Sequence, residues 1–195
     1  MTSMNPSTAV AAERAAAARV RRPAWGYWPA ALGLTAAMFQ IITGVTADSV
    51  AITVTAAASC YLAAAALGRP WVAWAGIPVA SAVVIGSELS GIPWWMGLTG
   101  FAALLAVVGV LRRAQIRPLT AQGLAMLAFG GLAVVAVLVS PRLGLAVAGV
   151  ALASHAVWDY VHWRRNTVVP RSLAEFCFLL DIPFGVAAIV LAIAG

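Results

Sequence analysis

The stretch WWMGLTGFAALLAVVGVL (Trp94–Leu111), then RRAQIRP (Arg112–Pro118), then LTAQGLAMLAFGGLAVVAVLV (Leu119–Val139) decides the fold. Two apolar runs, each long enough to cross about 30 Å of hydrocarbon, flank a loop carrying three arginines. Neither run alternates apolar and polar residues as a barrel strand would. A segment in lipid must satisfy its own backbone hydrogen bonds, so both runs read as helices.

The same pattern extends in both directions. Toward the N-terminus lie apolar runs over about Trp25–Val45, Ser49–Leu67 and Trp71–Ser87. Toward the C-terminus lie Leu143–Trp163 and Ser172–Ala194. Gly68-Arg69-Pro70, Glu88–Pro93 and Ser140-Pro141-Arg142 break the chain between them. Pro29, Pro78 and Pro183 fall within runs and predict kinks. Of 195 residues, 63% are hydrophobic and 9% charged, with mean hydropathy +0.97. A soluble domain carries roughly a quarter charged residues, so that class is excluded. The expected fold is all-α: a polytopic integral membrane protein of seven transmembrane helices in one domain, residues 23–195. An Ala/Arg-rich cytoplasmic tail, residues 1–22, precedes it. The tail lacks the pattern of a cleaved signal peptide.

Every basic residue is arginine, and their distribution sets the orientation. With the N-terminus cytoplasmic, Arg14, Arg19, Arg21, Arg22, Arg69, Arg112, Arg113, Arg117, Arg164, Arg165 and Arg171 lie inside, and Arg142 alone lies outside. This places the C-terminus outside and the protein in a cytoplasmic (inner) membrane. The net charge of +6 is read as contact with anionic lipid headgroups rather than with nucleic acid. Protein partners are not legible. The Ala- and Arg-rich, lysine-free composition matches a GC-rich bacterial coding sequence.

The absence of lysine excludes a retinal Schiff base, a P-loop and a pyridoxal phosphate linkage. Zinc hydrolases of the alkaline ceramidase type also have seven helices, but they use three histidines where this chain has two. Cys60 and Cys177 fall in spans and read as reduced core residues. Gln40 reads as a helix–helix hydrogen bond. Trp25, Trp28, Trp71, Trp94, Trp95 and Trp163 sit at span ends and read as an interfacial belt.

Ionisable residues inside a span are costly and point to function. Glu13, Asp48 and Glu88 fall in the tail and turns, whereas Asp159, Glu175, Asp181 and both histidines fall in the last two spans. His155, Asp159 and His162 are spaced i, i+4, i+7 and share one helical stripe. Counting back from the short loop at Arg164–Arg171 puts Asp181 level with His155, and Cys177 level with Asp159. Glu175 reads instead as the reach-back member of a capping box with Ser172. Trp158 flanks the stripe.

Three readings of the stripe follow. In one, the polar groups are hydrogen bonds that join helices. In the second, His155, Asp159, His162 and Asp181 hold one divalent metal ion, zinc or iron. In the third, they relay protons. The expected function is a membrane-embedded, metal-dependent enzyme acting on a lipid-like substrate at the cytoplasmic leaflet. Asp159, Asp181 and His155 would be its catalytic residues. A small proton-coupled transporter and a non-catalytic membrane subunit are the alternatives.

Overall fold

Short breaker sequences cut the chain into seven α-helices among residues 23–195, the residues that the computed structural model describes. The tail at 1–22, with Glu13, Arg14, Arg19, Arg21 and Arg22, lies outside the described residues. After a 3₁₀ turn at Ala24–Tyr27 come α1 (Trp28–Thr43), α2 (Ala47–Leu67), α3 (Val72–Leu89) and α4 (Trp94–Leu111). Then follow α5 (Ile116–Leu138), α6 (Pro141–Arg165) and α7 (Arg171–Ala194). No strand occurs among the described residues. Six helices, α2 to α7, are long and apolar enough to cross a membrane; α1 is shorter, with 16 residues.

The helix ends follow local chemistry. Thr46 and Ser49 close a capping box at the start of α2, and Gly68 ends that helix in the left-handed region (φ 63°). Asn166 ends α6 the same way (φ 50°). Pro78 and Pro183 lie inside helices, but Pro29 sits in the first turn of α1, where its missing N–H costs nothing. The N-cap of α7 is Pro170, which makes no side-chain capping bond, so Ser172 does not take the N-cap position expected of it. The helix starts at Arg171, and Ser172 Oγ instead accepts a hydrogen bond from Trp74 Nε1 at 3.1 Å.

The central element is α2, which packs against α3, α4, α5, α6 and α7. Its sequence, ADSVAITVTAAASCYLAAAAL, is small on every side, and small residues are what let helices approach closely in lipid. The last two helices form the tightest pair. Gly149 of α6 meets Gly185 of α7, and a Cβ on Gly185 would sit 2.8 Å from the backbone nitrogen of Ala153. In contrast, α4 and α5 scarcely touch, and both lean on α2. Helix α1 packs mainly on α7, while Gln40 of α1 donates to Thr53 Oγ1 of α2 at 2.8 Å.

Successive helices alternate in direction. The loops after α2, α4 and α6 meet at one end, where Gly68, Gln115 and Thr167 line a common pocket. Seven of the eight described arginines belong to this end. At the other end Trp94 Nε1 donates to Asp48 Oδ1 at 2.9 Å, so Trp94 is a buried partner of that carboxylate and not part of an interfacial belt. Trp25, Trp28 and Trp71 are exposed. The eighth arginine, Arg142, donates to the carbonyls of Ala192 (2.7 Å) and Ile193 (2.8 Å) and so closes the C-terminus of α7.

Candidate functional site

The tight α6–α7 pair and the central α2 position three ionisable side chains and a phenol in the bundle core. His155 and Asp159 lie one turn apart on α6, Asp181 faces them from α7, and Tyr61 comes from α2. The first three are at most 1% exposed. His155 Nδ1 is 2.9 Å from Asp181 Oδ2 and 3.3 Å from Asp159 Oδ2. The Tyr61 hydroxyl donates to Asp159 Oδ1 at 2.6 Å. Three atoms of the cluster have no hydrogen-bond partner: His155 Nε2, Asp159 Oδ2 and Asp181 Oδ1.

Two carboxylates thus meet one imidazole away from water. Among the described residues neither has an arginine as ion-pair partner. Buried charge of this kind must be neutralised, by protons on the groups themselves or by a cation. The spacing suits a cation. One ligand atom each from His155, Asp159 and Asp181 lies within 4.8 Å of the other two. Tetrahedral ligands at 2.0–2.2 Å from a metal are about 3.3–3.6 Å apart. The cluster can therefore hold a metal ion with small side-chain movements.

His162 is engaged elsewhere. Its Nδ1 lies 2.8 Å from the carbonyl oxygen of Trp158, which can only accept, so Nδ1 carries a proton. Gln122 of α5 accepts from Trp158 Nε1 through Oε1 at 3.1 Å. Its amide nitrogen then donates to His162 Nε2 at 3.0 Å. Trp158, Gln122 and His162 close a hydrogen-bonded ring that uses both histidine nitrogens. The Tyr61 ring stands between the two imidazoles, with centroids 5.7 Å from His155 and 5.0 Å from His162. Phe129 closes another side of His155, edge-on at 4.8 Å.

Of the four expected ligands, the structure brings together His155, Asp159 and Asp181 and puts His162 one layer away. Cys177, Cys60 and Trp158 pack in the same apolar cluster as Tyr61, and both cysteines are free thiols. Tyr61 and Gln122 are the additional polar members. An apolar groove of about 510 Å³ between α4 and α5 is lined by Leu62, Trp95 and Met126 and does not include the triad. No protein-family model, curated protein or solved structure matches the chain.

Proposed function

We propose that the chain is a seven-span protein of the cytoplasmic membrane, with its N-terminus inside and its C-terminus outside. In this reading His155, Asp159 and Asp181 form the buried divalent-metal centre of an enzyme acting on a lipid-like substrate from the cytoplasmic leaflet. The observation that carries it is the meeting of two carboxylates and an imidazole at ligand spacing, with three unpartnered atoms and, among the described residues, no arginine paired with either carboxylate. Three protein ligands leave the fourth position open, the arrangement that catalytic zinc sites use. His155, Asp159 and Asp181 would hold the ion, which would supply Lewis-acid chemistry toward an ester or phosphoryl group. Tyr61 orients Asp159 from the adjoining helix, as outer groups do around metal ligands. The seventh span is α1 extended by its 3₁₀ turn, together Ala24–Thr43, and the arginine-rich end faces the cytoplasm.

The test is elemental analysis of the purified protein after reloading with zinc or iron. A stoichiometric ion in the wild type that is lost in a folded Asp159→Asn/Asp181→Asn variant supports the centre. A metal-free wild type overturns it. The second reading, a proton-coupled carrier, is favoured by the close approach of Tyr61, Asp159, His155 and Asp181 within one buried cluster. It predicts substrate-linked proton flux in proteoliposomes without metal.

A further inference from the structure

The flank of the α6–α7 hairpin carries a second polar feature, separate from the triad. Tyr160 and Trp163 of α6 are spaced i, i+3, and Glu175, Phe178 and Leu179 of α7 are spaced i, i+3, i+4, so each set shares one helix face. The two faces meet around a pocket of about 240 Å³ lined by these five residues. Three of the five are aromatic, and among the described residues Glu175 is the only charged member of the lining. Tyr160 stacks on Trp163 with ring centroids 6.0 Å apart, and its ring lies 6.0 Å from that of Phe178, tilted by 40°. Trp163 Nε1 is buried without a hydrogen-bond partner. Neither the triad nor any described arginine is part of the lining.

The pocket sits at the depth of lipid headgroups. Trp163 lies two residues before the end of α6 and Glu175 four residues after the start of α7, about 3 Å and 6 Å of helix. The polar interfacial layer of a bilayer is about 5–8 Å thick on each side of the hydrocarbon. Tyr160 is exposed and the other four lining residues are half-buried, so the pocket opens on the outside of the bundle. Arg171 Nε donates to the Trp163 carbonyl at 3.2 Å, which holds a guanidinium beside Trp163 at the loop end of the hairpin.

We infer that this pocket binds the quaternary ammonium of a phosphocholine-type lipid headgroup. The face of an aromatic ring is negative and attracts a cation within about 6 Å of its centroid. Rings 6.0 Å apart let one cation lie close to more than one of them. Glu175 adds a full negative charge to the same wall. A trimethylammonium suits this mixture because it combines positive charge with an apolar shell and has no N–H to satisfy. A primary ammonium brings three donors to a lining that is mainly aromatic, and an anionic headgroup meets Glu175 at like charge. The phosphodiester next to the quaternary ammonium carries acceptor oxygens of the kind that Trp163 Nε1 lacks, and a charge that a guanidinium matches. The inference goes beyond the metal centre and does not rest on it, since no lining residue is one of the ligands proposed above.

The experiment titrates detergent-purified full-length protein with short-chain phosphatidylcholine, phosphatidylethanolamine and phosphatidylglycerol of the same chains, followed by native mass spectrometry. Phosphatidylcholine should bind the wild type about tenfold more tightly than either of the others. Tyr160→Leu keeps an apolar side chain at an exposed position and removes the ring, so it should erase that preference, whereas Tyr160→Phe should retain it. Glu175→Gln should weaken phosphatidylcholine binding and narrow the gap to phosphatidylglycerol. Asp159→Asn/Asp181→Asn should bind phosphatidylcholine as the wild type does, which separates this site from the metal centre. Equal binding of the three lipids, or phosphatidylcholine binding unaltered by Tyr160→Leu or by Glu175→Gln, would overturn the inference, the rings then being an interfacial belt without headgroup preference. Displacement of phosphatidylcholine by equimolar free choline would overturn the lipid assignment.

Discussion

A carboxylate without water has to share its charge, and Asp159 does so with the Tyr61 hydroxyl and the His155 imidazole. Removing the phenol oxygen leaves Asp159 Oδ1 buried and unpaired. Tyr61→Phe keeps the ring between the two histidines, so its cost isolates the hydrogen bond: about 1–3 kcal/mol in reversible unfolding in detergent. The same variant should weaken metal binding about 10–100-fold, as loss of an outer partner of a ligand does. The two histidines should behave differently. His155→Ala should abolish stoichiometric metal binding. His162→Gln should retain it and lower stability, because it disturbs the ring of Trp158 and Gln122. Equal metal loss in both variants, measured by elemental analysis, would mean that His162 is a ligand after all.

At the scale of the helix, the α6–α7 pair is what holds Asp181 against His155. Its contact at Gly149 and Gly185 leaves no room for a side chain. Gly185→Val should cost about 1–3 kcal/mol by overpacking and should also lower metal affinity, because it pushes the two ligand-bearing helices apart. A thermal melt paired with metal titration reads both effects; an unchanged melt would contradict the close packing. The helices themselves were legible in the sequence. Their ends fall within a few residues of the breakers, since a span in lipid is dictated by apolar length and by Gly, Pro and Arg at its limits. The level pairing of His155 with Asp181 was legible too, because a short loop sets the register of a hairpin. Tyr61 was not. It lies 98 residues from Asp159, in an alanine-rich run whose hydropathy hides a phenol. Its only signal was α2 being small on all sides, the mark of a central helix. Gln122 was hidden likewise in α5. His162 shares the stripe of His155 by angle, but seven residues separate them by about 10 Å along the axis, too far for compact ligation of one ion without a large shift.

For the whole molecule, the helix ends sort charge. Seven described arginines gather at one end, and Arg142 at the other is occupied in closing α7. The exception to the charge bias is therefore a helix cap. Reporter fusions should read the 112–118 loop as cytoplasmic and a fusion after Ala194 as external. Arg142→Gln should leave this topology intact while lowering the melting temperature, since it removes two hydrogen bonds to α7 carbonyls. A cytoplasmic C-terminus would show that one helix does not span, with α1 the first candidate on its length. The central claim, a metal held by His155, Asp159 and Asp181, is tested most directly by X-ray absorption at the zinc edge of zinc-loaded protein. The account predicts a single imidazole with carboxylate oxygens at about 2.0–2.2 Å and no sulfur. It also predicts the same spectrum in His162→Gln and no bound zinc in folded Asp159→Asn/Asp181→Asn. Two imidazoles, a cysteine sulfur, or a folded wild type that takes up no zinc would contradict it.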